Sequence, residues 1–294
     1  MTVANLQTDD LLQPLARRGP ARRPSHLIEP SRPTRWIILG VVLVLFGLPI
    51  AAMVEFSLRI GQPVNGVQRY GFDHYLAVFD AANAVTYQGL FAGIANSLVI
   101  CVVTVAIVLL ILVPTTVLVE LSFPKFRRVL EFVCILPITI PTIVLAVGFG
   151  PVYSVVAHLF GSVPWTLSFA VGVIVLPYAY RPIAANLGAI DVTTLSEAAR
   201  SLGAGWLSVL WRVLLPNLRR GIFSACFITI AVVLGEYTIA SFLSQNTFQT
   251  ALVLVRSTDP YVAIIFALLA LLFAFVLLVV IGRVGSAGRT RRTS

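Results

Sequence analysis

Long apolar runs alternate with short polar segments along this chain. Six runs approach or exceed the roughly 20 apolar residues with which a helix crosses a bilayer, at about residues 36–58, 94–119, 130–153, 165–183, 222–243 and 261–281. Spans of this kind must be helical, because an open sheet leaves its backbone groups unsatisfied in lipid. The expected fold is therefore all-α, a polytopic membrane protein with six transmembrane helices over residues 36–283. Pro137 and Pro141 fall in the third run and predict a kink there, and Pro177 and Pro182 fall in the fourth. Between the first two runs, residues 59–88 are mostly polar.

Residues 1–35 are rich in arginine and proline, cannot bury a core, and are expected to form a disordered tail. A cleavable signal is not expected, since the first apolar run begins late, is long, and lacks a small-residue cleavage site. Residues 284–294 form a second basic tail.

One sizeable helical stretch that bears polar residues lies between long apolar runs, the loop 191–220. Ser196, Glu197 and Arg200 sit among the good helix formers Ala198, Ala199 and Leu202, so a helix should begin near Thr194 or Ser196. Gly203 and Gly205 then interrupt it and let the chain turn. A second helical piece follows, with Trp206, Leu207, Leu210, Val213 and Leu214 on an apolar stripe that suits either a membrane surface or the bundle. Pro216 should close or kink this piece.

The order Glu197, Ala198, Ala199, then Gly203, then Val213, Leu215 and Pro216 resembles the signature loop of binding-protein-dependent ABC transporter permeases. Val213 departs from the isoleucine usual in that family. The resemblance implies the type I importer permease fold and makes this loop a coupling helix that enters a groove of a separate ATPase. It assigns Glu197 to the ATPase contact, Ala198 and Ala199 to leaving room for docking, and Gly203 to the bend. It also implies three partners: an ATP-binding subunit, a second and related permease chain, and an extracytoplasmic substrate-binding protein.

Composition agrees with a membrane protein and changes one point. The 294 residues are 58% hydrophobic and 11% charged, with a mean hydropathy of +0.95, far from soluble-domain values. The net charge of +9 might suggest nucleic acid, but the basic residues flank apolar runs. They concentrate in residues 1–35, the turn Lys125–Arg128, the neighbourhood of the loop 191–220 and the last tail, leaving Arg59, Arg69 and Arg256 for the opposite face. By the positive-inside rule both termini and the loop are expected on the cytoplasmic side of a multi-pass protein surrounded by lipid, and the resemblance implies a bacterial inner membrane.

No catalytic, metal or cofactor signature emerges. A phosphate-binding P-loop needs Gly-Lys-Ser/Thr, and the single lysine, Lys125, follows Pro124. The histidines 26, 74 and 158 are scattered, and Cys101, Cys134 and Cys226 lie unpaired in apolar runs. The chain is read as a non-enzyme.

Charged side chains inside spans are functional candidates by default. Glu236, about two thirds along the fifth run, could line a pathway with Tyr237 and attract a cation; it could equally lie at the interface or pair with a partner subunit. Glu55 reads as interfacial. Pro137 and Pro141, with Thr139 and Thr142, are pathway candidates or packing elements. The stretch Gly235–Leu243 and the long first outer segment are similar to the polyamine, iron(III), phosphonate and sulfate branch of the family, and Glu236 favours a polyamine. A secondary transporter, the rival class, would show internal repeats and paired buried charges.

Overall fold

The computed structural model describes residues 31–64 and 66–286. The expected tail 1–35, save its last residues, and most of the tail 284–294 lie outside them. Chain contacts divide the protein into a first unit ending at Ala51 and a second beginning at Ala52. Among the described residues six helices are long and apolar enough to cross a membrane.

The first is α1 (Arg32–Ser57), four residues longer at its start than the apolar run. From Arg32 to Ala51 none of its side chains is buried. The polar segment that follows is more ordered than its composition suggests. It holds the antiparallel hairpin β1 (Arg59–Val64) and β2 (Val67–Tyr70), a small departure from an all-α fold, and the short helix α2 (Asp73–Ala77). The second span, α3 (Ala84–Ser122), begins ten residues before its apolar run.

The third run does not kink but breaks. Helix α4 (Arg127–Thr139) ends, Ile140 is extended, and α5 (Thr142–Phe160) starts after Pro141. A residue before proline is pushed out of the helical region, and Pro141 has no N–H with which to continue the ladder. Pro177 and Pro182, by contrast, sit inside an unbroken α6 (Leu167–Gly188). Packed neighbours can compensate for proline in a membrane helix, and α6 makes extensive contacts with both α3 and the later helix Leu215–Gly235.

After α7 (Val192–Ser201), the turn α8 (Trp206–Ser208) runs through a π-helical segment, Val209–Leu214, into α9 (Leu215–Gly235). The fifth span is thus Trp206–Gly235, beginning sixteen residues earlier and ending eight earlier than the apolar run 222–243. Pro216 neither closes nor kinks a surface helix. It lies in the first turn of α9, directly after the wide π turn, where its missing N–H is tolerated. The remainder is α10 (Thr238–Phe242), α11 (Phe248–Thr258) and the sixth span, α12 (Pro260–Ser286).

Two apolar clusters hold the second unit. The larger joins α3, α6 and α9 with the loop after α6, through Val117, Ile183, Leu214 and Leu218 among others. The smaller joins α2, α3, α11 and α12 around Leu90, Phe248 and Val262. Glycine permits the closest approaches. A Cβ on Gly221 would stand 2.8 Å from the Pro182 carbonyl oxygen of α6, and one on Gly93 would stand 2.7 Å from the Thr247 carbonyl oxygen. Neither neighbour is the flexible end of a side chain, so Gly221→Ala and Gly93→Ala should each cost about 1–3 kcal/mol. Gly148→Ala in α5 meets no atom within 4 Å and should be neutral or stabilising by up to about 1 kcal/mol. Thermal midpoints of the detergent-solubilised variants should fall for the first two and hold or rise for the third.

Candidate functional site

The loop after α6 folds as a short capped helix and a glycine turn. Helix α7 begins at Val192, two to four residues before the expected start, because Asp191 caps it. The Thr194 amide donates to Asp191 Oδ1 at 3.1 Å, and the Thr194 hydroxyl donates to Oδ2 at 2.7 Å. These contacts, the hydroxyl first, hold the Asp191 carboxyl below its ordinary range. Val192 and Ser196 face inward, Ala199 packs half-buried on the main apolar cluster, and Glu197, Ala198 and Arg200 are exposed.

The end of α7 explains the glycine. Gly203 N–H donates to the Arg200 carbonyl at 2.9 Å, and Ala204 N–H donates to the Ala199 carbonyl at 3.1 Å. This pair is a Schellman motif, which needs a left-handed residue at the position Gly203 occupies, and φ there is +84°. Gly205, with φ −71°, carries no such demand. The turn also thrusts Leu202 outward, 89% exposed, with Leu207 and Trp211 largely exposed beyond it. Leu202 went unmarked in the sequence, where its helical spacing suggests only another good helix former. A hollow of about 520 Å³ lies beside the turn, between the end of α3 at Ser122 and Glu197, Arg200 and Trp206.

The second helical piece faces the bundle. Val209, Leu210 and Leu214 are buried, and Val213 and Leu215 pack half-buried against the same cluster. Asn217 Nδ2 donates to the Val213 carbonyl at 2.7 Å, in the turn that the π segment and Pro216 loosen. Glu197, Ala198 and Gly203 therefore form the outward part of the loop, Ala199 turns toward the bundle, and Val213, Leu215 and Pro216 form its root.

The pathway candidates do not share one cavity. Pro137 and Pro141 line a hollow of about 350 Å³ at the break between α4 and α5, opposite Ile174 and Tyr178 of α6. Glu236 and Tyr237 do not border that hollow and lie just past the C-terminus of α9 rather than within a fifth span. Tyr237 is 41% exposed. Glu236 is 9% exposed, and its carboxylate accepts two backbone hydrogen bonds, from Ile239 at 2.7 Å and Ala240 at 3.0 Å. Glu55, near the end of α1, accepts from Arg59 and from the Tyr70 hydroxyl.

The turn of the chain from α9 to α11 carries polar contacts that no local motif announces. Gln249 donates to the Leu234 carbonyl at 3.0 Å, and the Ser97 hydroxyl accepts from the Phe248 amide at 2.8 Å. Asn96 donates to the Asn246 carbonyl, and Asn246 donates to the Gly89 carbonyl.

The sequence of this bundle can be set beside known proteins. Among curated relatives, a probable sulfate transport system permease protein of Chlorokybus atmophyticus is 33% identical over 140 residues, 44% of this chain and 48% of the relative. A probable ABC transporter permease protein of Sinorhizobium fredii is 26% identical over 262 residues, 84% of this chain and 45% of the relative. A spermidine/putrescine transport system permease protein of Haemophilus influenzae is 29% identical over 109 residues, 37% of this chain and 41% of the relative. The chain spans less than half the length of each. The family model of the binding-protein-dependent transport system inner membrane component matches residues 112–287, which take in the break at Pro141, the whole of α7 and its glycine turn, and the Glu236 cap. This multi-pass membrane protein belongs to the binding-protein-dependent family of ABC importer permeases.

Proposed function

We propose that this chain forms half of the translocation pathway of an ATP-driven importer and is moved by a separate ATPase that grips α7. The observation that carries this reading is the Schellman-terminated α7, which presents Glu197, Ala198 and Leu202 outward from a root packed into the bundle. A rigid, short helix with small residues on its exposed face suits insertion into a groove of another protein, and its glycine end sets the angle of the following span. The partners on this reading are an ATP-binding subunit, a related second permease and an extracytoplasmic binding protein. The membrane is the bacterial inner membrane with both termini cytoplasmic, supported by the clustering of basic residues on one face. Residues 36–283 make the permease domain. Pro137, Pro141, Glu236 and Tyr237 lie along the path or brace it.

The solute is a small charged molecule. A polyamine is favoured by the carboxylate of Glu236 and by the likeness to the spermidine/putrescine permease. Sulfate is favoured by the likeness to the probable sulfate permease, and by the two amides that already occupy the Glu236 carboxylate.

Three measurements test these assignments. Gly203→Ala should strain the left-handed turn by about 1–2 kcal/mol and weaken co-purification of the ATPase, whereas Gly205→Ala should not; equal retention would count against docking at this turn. Gly203→Trp should abolish uptake while the protein still reaches the membrane in normal amount, and full uptake would remove α7 from the coupling path. Uptake of labelled spermidine and of labelled sulfate in native cells, with and without the gene, should show loss of one of them; the one lost names the cargo.

A further inference from the structure

We propose that Glu236 is a positioning residue of the transport cycle, whose carboxylate fixes α10 as the brace on which α5 stands. The inference deepens the importer reading and rests on it for the word transport, but its structural half is independent of any solute.

Helix α9 ends at Gly235, and Glu236 turns extended with φ −77° and ψ 119°. The chain then makes α10, only five residues long. A helix this short cannot stand alone, and its first amides have no intrahelical acceptors. Two of them, on Ile239 and Ala240, belong to fully buried residues, where an unpaired N–H is costly. The Glu236 carboxylate takes both, one on each oxygen, at 2.7 and 3.0 Å. At the other end Gln245 N–H donates to the Ala240 carbonyl at 2.8 Å and closes the turn. One side chain thus supplies acceptors at the N-terminal end of the element.

What depends on α10 is α5. Of its nineteen residues only Ala146 and Tyr153 are buried, and its main helical neighbour is α10. Helix α5 begins at the Pro141 break, next to the hollow that Pro137 and Tyr178 line. Release of the Glu236 cap would loosen α10, then the seat of α5, then the geometry of that hollow. A carboxylate in this role acts on solute movement through helix position and need not touch the solute.

The test uses full-length protein purified in detergent and the same variants in cells. In Glu236→Ala, amide hydrogen exchange over residues 236–243 should accelerate about tenfold or more, with exchange in α6 unchanged. Glu236→Gln, which keeps one carbonyl oxygen and loses the charge, should fall between Ala and wild type. In uptake of sulfate or spermidine, whichever the cells carry, the Ala variant should lose about tenfold in Vmax with KM altered less than about twofold, and Gln should recover part of the loss. Wild-type exchange in the Ala variant overturns the proposal. So does an equal rise in KM for Gln and Ala with Vmax preserved, the signature of a direct charge contact with solute. If the Ala variant fails to accumulate, exchange in Gln decides, and a wild-type rate there overturns the inference. Loss of ATPase co-purification with wild-type chain would sink the importer reading while leaving the exchange result standing.

Discussion

Inside a bilayer no water is at hand for a free peptide group, so wherever a span is interrupted the chain must supply the missing partners itself. Two interruptions among the described residues meet that constraint differently. At the break between α4 and α5 proline lessens the need, since Pro141 has no N–H to satisfy and its carbonyl accepts from Val144 and Leu145. Between α9 and α11 side chains meet the need: Glu236 and Gln249 from the segment itself, and Ser97 and Asn96 from α3. The second solution is the more demanding, because its donors and acceptors come from parts of the chain about 150 residues apart. It also ties α3 to α11 at the place where Gly93 lets the backbones nearly touch.

This division explains what the sequence reveals. Apolar runs report where lipid or core surrounds a helix, and all six spans were legible from them. The interruption at Gly203 and Gly205 was legible too, because glycine lowers helix stability, but that only the first takes the left-handed cap, with φ +84°, was not. The breaks were not. Ile140 and the residues around Glu236 are nearly as apolar as their surroundings, so hydropathy carries straight across both. A kink was expected at Pro137 and Pro141, and the full break came from the pairing of an extended Ile140 with a proline that can only begin the next helix. Glu236 drew notice as a charge, yet its cap of α10 was invisible, because α10 itself was hidden inside a presumed span. The Asp191 cap lay in plain view, three residues before Thr194, but the stronger helix formers further on drew the boundary inward.

The root of the loop after α6 teaches the same lesson from the other side. A glycine pair followed by an amphipathic piece and a proline left open a helix on the membrane surface or one against the bundle. The structure instead runs α8, the π turn and α9 together into one span of 30 residues, because Val209, Leu210, Leu214 and Leu218 find buried sites in the bundle. Burial decided the matter over the proline, whose loss of one hydrogen bond the widened π turn absorbs.

That continuity has a mechanical consequence. At 1.5 Å per residue the helix from Trp206 to Gly235 is about 45 Å long, and it joins the glycine turn of α7 at one end to Glu236 at the other. Its middle is seated against α6 where Gly221 meets Pro182, so a displacement at the α7 end would be carried by one continuous span with a close contact point rather than by a loose chain. If α7 takes the force of a partner subunit as proposed, a tilt of the span about Gly221 would carry that force to Glu236, at the far end from the glycine turn.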